Sequence, residues 1–328
     1  MNIAAEYYGR RHEFKFRDID AATSIGFEYL KIFSGDYGDW LTFDLQFRLA
    51  HTHKKKLLRN AYANYNLNFD FNHNKLESIL TADMNLMPEI HNAYANFRLS
   101  PLGHYLKMGH FDVPFGLEPL LDTHPTILQT QATKNVGFKR DWGLSLNGQF
   151  PSFDYELSAT IGSGGATKIW RKDGSYLLAG RVGSPADTLQ YGLSVLYGNV
   201  LMALYDDYLS EETVSRKRVG LDIQYEYKSY LLKGELAWGQ DEDRDVLGTF
   251  LELDYTPPSH QSLRLESQLK HFINDLGESK SDDTILSLGT SYKLNEDITL
   301  RFAWSHDFNL MWGREDDVFT LQAYYYSE

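Results

Sequence analysis

The strongest constraint in this chain is a period-two alternation that returns in blocks of about ten residues. In "RDWGLSLNGQF" (140–150), Trp142, Leu144, Leu146, Gly148 and Phe150 take one parity. Asp141, Gly143, Ser145, Asn147 and Gln149 take the other. Side chains of an extended strand point alternately to opposite faces, so such a segment has an oily side and a wet side. The same rhythm runs through 41–49, 60–70, 92–99, 154–161, 189–197, 218–227, 263–270, 286–292, 300–304 and 319–325. Turn-forming clusters such as "LSPLGH", "FPSFD", "GSPADT", "EYKSY" and "KLNED" separate these blocks. Longer polar connections are expected at "HTHKKK", "GSGGATKIWRKDGS", "YDDYLSEETVSRK", "GQDEDRDV", "INDLGESKSDD" and "DFNLMWGRED", alternating with the short ones. No helical segment of ordinary length, no internal repeat and no domain boundary is visible. The chain reads as one all-β domain over 1–328 with roughly 16 to 18 strands.

Two architectures carry such a pattern. A soluble sandwich or propeller buries the apolar face, whereas an outer-membrane barrel turns it to lipid and lines a lumen with the polar face. Three features favour the barrel. The blocks have the length a tilted strand needs to cross a bilayer. The apolar faces admit Ala, Gly, Thr and Ser among Leu and Tyr, which a close-packed core would not. Aromatic residues, 14% of the chain with 22 Tyr and 19 Phe, gather near strand ends as interfacial girdles do. Hydrocarbon offers the backbone no hydrogen-bond partner, so a spanning sheet must close on itself. The expected fold is therefore a transmembrane antiparallel up-and-down β-barrel of about 16 strands, roughly 14 to 18, around a hydrated bore.

Composition removes several alternatives. The chain has no cysteine, which excludes disulfides, thiolate metal sites and cysteine nucleophiles. The net charge of −13 makes nucleic acid an improbable partner. No run of about 18 apolar residues is present, so no transmembrane helix is expected. "MNIAAEYYGRRHEF" lacks the apolar segment of a signal peptide, and Met1 reads as a start placed on a mature exported chain.

The stretch 91–164 carries more than rhythm. It holds "AY" on a strand, then "G-x-F-x-x-PFGLE" (Gly109, Phe111, Pro114, Phe115, Gly116, Leu117, Glu118), a long loop, and a strand opening with "R-D-x-G" (Arg140, Asp141, Gly143). This arrangement resembles the phosphate-selective porin O and P superfamily. The resemblance implies a 16-stranded barrel of the bacterial outer membrane, assembled as a homotrimer, whose PFGLE segment enters an inward-folded loop that narrows the pore. The residues agree with that implication. Pro114 cannot donate to a ladder, so strand pairing should stop beside it. Gly116 permits a sharp turn. The 25 residues of 115–139 lack alternation and carry Leu117, Leu120, Leu121, Ile127 and Leu128, as a packed loop would. Residues 112–139, starting at Asp112, are the expected constriction; a loop folded over the outer rim is the alternative.

Phosphate preference would require a ladder of lumenal Lys and Arg. Parity places Arg48, Arg98, Arg218, Arg264, Lys270 and Arg301 on the polar faces. The same faces carry Asp44, Asp70, Asp154, Glu156, Asp222, Glu226 and Glu266. A mixed-charge wall with mild selectivity is expected, and phosphate specificity is not. Lys134, Lys139 and Arg140 could make a local basic spot at the loop's return, or Arg140 could pair with Asp141 or another carboxylate.

Other chemistry is weakly signalled. His51 and His53 share a face, but a zinc site needs further ligands. His104, His110 and His124 lie near the expected constriction, where His110 beside Asp112 could respond to pH. "GSGGAT" lacks the Lys-Ser/Thr ending of a phosphate-binding loop. No nucleophile elbow exists, and no catalytic residue, metal or cofactor is expected. The chain ends "LQAYYYSE", with its last aromatic two places short of the terminus. The expected function is a porin: a water-filled diffusion channel for small hydrophilic solutes or ions, in contact with outer-membrane lipid and lipopolysaccharide. The alternatives are a barrel that sheathes a partner such as a multihaem cytochrome, and a soluble all-β carbohydrate-binding protein.

Overall fold

The structure, a computed structural model, describes the backbone of residues 2–10, 18–35, 38–56, 65–66, 82–83, 85–100, 103–121, 126–128, 130–164, 174–185, 187–204, 208–278, 282–296, 298–308 and 316–325, with side chains chiefly from residue 93 onward. The strands are β1 (Asn2–Arg10), β2 (Asp18–Gly35), β3 (Gly38–Lys56), β4 (Tyr65–Asn66), β5 (Ala82–Asp83), β6 (Asn85–Ser100), β7 (His104–Asp112), β8 (Arg140–Gln149) and β9 (Asp154–Thr160). They continue with β10 (Tyr176–Gly183), β11 (Leu189–Leu204), β12 (Tyr208–Tyr227), β13 (Tyr230–Asp241), β14 (Arg244–Tyr255), β15 (Leu263–Ile273), β16 (Asp282–Lys293), β17 (Ile298–Asp307) and β18 (Asp316–Tyr325). From β6 to β18, 13 strands follow one another up and down, each antiparallel to its neighbours. In backbone register β3 pairs with β6, β2 with β3, and β1 with both β2 and β18. β4 and β5 form a separate two-stranded pair.

The ladders put like parities side by side. Leu193, Leu221 and Leu236 stand opposite one another across β11, β12 and β13, as do Val195, Val219 and Trp238. These rows face outward: Leu221 and Trp238 are each 55% exposed and Tyr191 58%. A continuous belt of half-exposed Leu, Val and Tyr is costly in water and suits hydrocarbon. Aromatic rings collect where the short turns lie. Phe150 packs on Phe153 at 4.7 Å, Tyr230 on Tyr255 at 4.6 Å, and Tyr225 on Tyr227 at 6.2 Å. The opposite parities are buried and polar, carrying Ser194, Arg218, Asp222, Lys233, Glu235, Glu252, Asp254 and Glu266. No helix of the described residues is long and apolar enough to cross a membrane.

Three expected loops are strands. "HTHKKK" is the end of β3, paired with the start of β2. Most of "YDDYLSEETVSRK" lies in the 20-residue β12. Polar residues occupy both parities of these stretches, so they lack the apolar alternation that reveals a strand. "GQDEDRDV" is the third: β13 and β14 join through only Glu242 and Asp243, with Glu242 at φ 53° and its carboxylate accepting from the amide of Ser215. Its acidic composition concealed a hairpin, and the expected alternation of short and long connections breaks there. Several readings lie outside the described residues: the strand at 60–70 apart from 65–66, the side chains of Asp44, Arg48, His51, His53 and Asp70, and His124.

Candidate functional site

Strand pairing stops where proline predicts. β7 ends at Asp112, Val113 donates one further hydrogen bond to Lys139 O (3.0 Å), and Pro114 begins a segment that leaves the ladder. The connection runs to Lys139 through a 3₁₀ turn (Glu118–Leu120) and a helical turn, α1 (Ala132–Asn135); of its apolar residues Leu117, Leu128 and Ala132 are buried, Leu121 and Ile127 half-buried, and Leu120 exposed. Val113, Phe115 and Val136 are wholly inaccessible and pack with Phe138, Leu177, Leu196 and Val200.

The PFGLE stretch grips the polar face of the sheet through its backbone. Gly116 N donates to Ser194 Oγ on β11 at 2.9 Å, and Leu117 N and Glu118 N both donate to Glu235 Oε2 on β13, at 2.7 and 2.9 Å. Consecutive amides turned toward one carboxylate form an anion-binding concavity, and here the anion is a wall side chain. Gly116 has φ 62°, and a Cβ there would sit 2.2 Å from Glu235 Oε2. Only glycine allows both the backbone turn and the approach.

Glu118, fully buried, folds the loop on itself. Its carboxylate accepts from Gln131 N and from Asn135 Nδ2 (2.9 Å), and the same Asn135 amide reaches Glu235 Oε1 at 3.2 Å. Burial, and next the Glu235 carboxylate, hold the Glu118 carboxyl well above the usual range. Further along, Thr126 Oγ1 donates to Glu266 Oε1 on β15 (2.6 Å), Gln131 Nε2 to Thr249 O on β14 (2.8 Å), and Lys134 pairs with Asp283 on β16. The loop is thus tied in turn to β11, β13, β14, β15 and β16.

The "R-D-x-G" opening of β8 has a local role. Arg140 Nε pairs with Asp112 Oδ1 at 2.9 Å, closing the two ends of the loop. Asp141 is buried and accepts from the amides of Gly162 (2.6 Å), Ser163 (3.2 Å) and Gly164 (3.0 Å). The amides of Gly162, Ser163 and Gly164 in "GSGGAT" therefore cradle a carboxylate of their own chain. Gly143 leaves room for β9, where a Cβ would fall 2.3 Å from Ala159 O. The basic spot from Lys134, Lys139 and Arg140 does not form: Lys134 goes to Asp283, Lys139 Nζ to Leu121 O, and Arg140 to Asp112. Each cation lies beside a different acceptor, and that local pairing outweighs convergence. His104 is drawn to the aromatic group at the short-turn end, bonding Tyr155 Oη at 3.0 Å. His110 is buried against Trp142.

On the wall, charges alternate in sign. Arg216 and Arg218 share Asp241, and Arg181 forks onto Asp222. Lys233 lies between Glu252 (2.5 Å) and Asp254 (3.0 Å), and Arg264 between Asp254 (2.8 Å) and Glu266 (3.4 Å). Lys107 holds Glu156 at 2.9 Å. Of the expected lumenal cations, Arg218 and Arg301 are buried on the polar side, Arg264 is half-buried, and Arg98 bonds Ser100 O. Sequence reasoning missed Glu235, Ser194, Asn135, Asp241, Lys233 and Arg181. Lys233 and Glu235 have the parity opposite Leu232, Leu236 and Trp238, so alternation along β13 could have found them.

An up-and-down sheet, oily outside and ionic inside, with a loop folded onto its polar face, defines a class: the β-barrel porins of the bacterial outer membrane. The model of the family "Phosphate-selective porin O and P" matches residues 18–278, and the chain belongs to that family. Solved structures agree on the fold. OprB of Pseudomonas putida aligns at TM-score 0.59 and 10% identity, over 99% of this chain and 92% of its own. OmpT of Vibrio cholerae aligns at 0.58 and 10%, over 100% and 95%. An anion-selective porin from Comamonas acidovorans aligns at 0.57 and 11%, over 99% and 96%. No characterised protein sequence matches the chain significantly.

Proposed function

We propose that the sheet closes into a 16-stranded barrel and that its lumen, narrowed by residues 112–139, passes small hydrophilic solutes or ions down their gradient. The pairing of β1 with β18 supports closure. The observation that carries the channel reading is the docking of the loop on the polar face through Gly116, Leu117 and Glu118, because a loop held inside a hydrated bore sets its width. It also occupies the space that a sheathed partner protein would need. Assembly as a homotrimer in contact with lipopolysaccharide belongs to the same reading, and the trimer form of the Vibrio cholerae OmpT structure supports it. Enzymatic activity forms no part of it. Phosphate specificity is not carried over from the family description, because Lys107, Arg181, Arg216, Arg218, Lys233 and Arg264 each contact a carboxylate. Conductance of the purified chain in planar bilayers tests the proposal. Discrete ohmic steps are expected; a protein that inserts and passes no current refutes it.

A further inference from the structure

Between the loop and the short turns that end β7 to β10 lies a cavity of about 870 Å³, a size suited to a small solute. Strand register orders its wall. Tyr105 stands opposite Asn147, Asn147 opposite Glu156, and Glu156 opposite Arg181, with Gln149 and Asp154 paired in the next row. The loop contributes Pro114 and Leu120. The charged groups of this wall already have partners. Arg181 forks onto the buried Asp222 through Nε (3.0 Å) and Nη2 (2.7 Å), and its Nη1 lies 3.8 Å from Asp154 Oδ1. Glu156 accepts from Lys107 Nζ (2.9 Å) and Ser145 Oγ (2.6 Å). The neutral groups differ. Among the described residues, the Tyr105 hydroxyl and the Gln149 amide make no side-chain hydrogen bond, and Asn147 Nδ2 is a buried donor without an acceptor. Leu120 is 42% exposed, whereas Leu117, Leu128 and Ala132 of the same loop are buried. The cavity therefore presents a phenol, two amides and an apolar patch, with its charges paired within the chain.

We propose that this cavity is a docking site for an uncharged, hydroxyl-rich solute of mono- or disaccharide size. The inference rests on the porin reading above and adds to it a class of solute that the passage holds on its way through. An ion seated here would lose hydration without gaining a free counter-charge from the lining residues. Sugar hydroxyls donate and accept at once, which suits a phenol and two amides that do the same. The C–H faces of a sugar ring are apolar and match Leu120, Pro114 and the Tyr105 ring. Asn147 reaches such a hydroxyl by turning its amide about the broad final torsion, which gives the orphaned Nδ2 an acceptor.

The test is the KCl current of the full chain in a planar bilayer, titrated with maltose. The wild type is expected to lose current saturably as the sugar occupies the cavity. Tyr105→Phe and Asn147→Ala should each raise the half-saturating concentration about three- to tenfold, the factor for one lost hydrogen bond. Leu120→Ala should raise it as well. Asp243→Asn, in the turn at the opposite end of the strands, should leave it unchanged. Three results overturn the inference while leaving the porin reading intact: a current that falls only with solution viscosity, Tyr105→Phe and Asn147→Ala channels that titrate like the wild type, or saturable block by inorganic phosphate where maltose gives none. Absence of any current removes the porin reading itself, and this inference with it.

Discussion

Replacing Glu235 by alanine removes the acceptor on which the constriction loop hangs. The carboxylate takes hydrogen bonds from Leu117 N, Glu118 N and Asn135 Nδ2. In Glu235→Ala two backbone amides lose their partner in a buried setting, at about 1–3 kcal/mol each, so the docked loop loses roughly 2–6 kcal/mol. The bonds of Gly116 to Ser194, Thr126 to Glu266 and Gln131 to Thr249 remain. The loop should therefore move between docked and released positions rather than leave outright. The strand ladders do not pass through this side chain, so the barrel itself should fold. Glu235→Gln keeps one oxygen for the two amides but turns an NH₂ toward Asn135, and it should lose about 1–3 kcal/mol. Single-channel recording reads the result: larger mean conductance and more open-channel noise for Ala, with Gln in between. A folded Glu235→Ala protein with wild-type conductance and wild-type noise would refute the claim that this residue holds the loop.

Other consequences follow from the same geometry. Gly116→Ala forces a Cβ into the Glu235 carboxylate at a left-handed backbone position. It should free the loop more completely than Glu235→Gln, read as protease cleavage between 115 and 139 in an otherwise intact barrel. Asp141→Ala strips the acceptor from three amides at 162–164 and should raise hydrogen exchange there by at least tenfold, for about 1–3 kcal/mol per orphaned amide. Leu221→Arg puts a charge in the outward row and should destabilise the barrel in lipid by about 2–4 kcal/mol near the bilayer midplane, measured by urea unfolding in vesicles. Acidification should tighten the loop. Glu118 lies in the loop, outside the spanning strands, and its docked carboxyl binds a proton more readily than its ordinary value of 4.5 allows. Docking therefore takes up protons and strengthens as pH falls through the raised value toward 4.5. Open-channel noise that rises over that window would contradict the assignment.

Much of the fold was legible in the one-dimensional pattern. A strand between oil and water must sort its side chains by parity, and the exposed Tyr191, Leu193, Val219 and Leu221 are the residues that alternation assigns to one face. Pro114 marked the end of β7 because a residue without an N–H cannot continue a ladder. Legibility failed where that sorting ceases. The far ends of β3 and β12 carry polar residues at both parities, and the β13–β14 hairpin hides inside an acidic run. It failed for the site as well. Lys134, Lys139 and Arg140 lie close in sequence, yet each lies against a different acceptor.

The sequence by itself determined which side chains meet lipid and which meet water, because that choice depends only on the parity of each residue within its strand. Where the loop rests, and which wall charges pair, only the tertiary structure decided. Glu235 is 117 residues from the Glu118 amide it accepts. Arg181 and Asp222 are 41 apart. Such pairs exist because an antiparallel sheet places distant stretches of chain face to face, and their fields cancel only over the few ångströms that this packing allows.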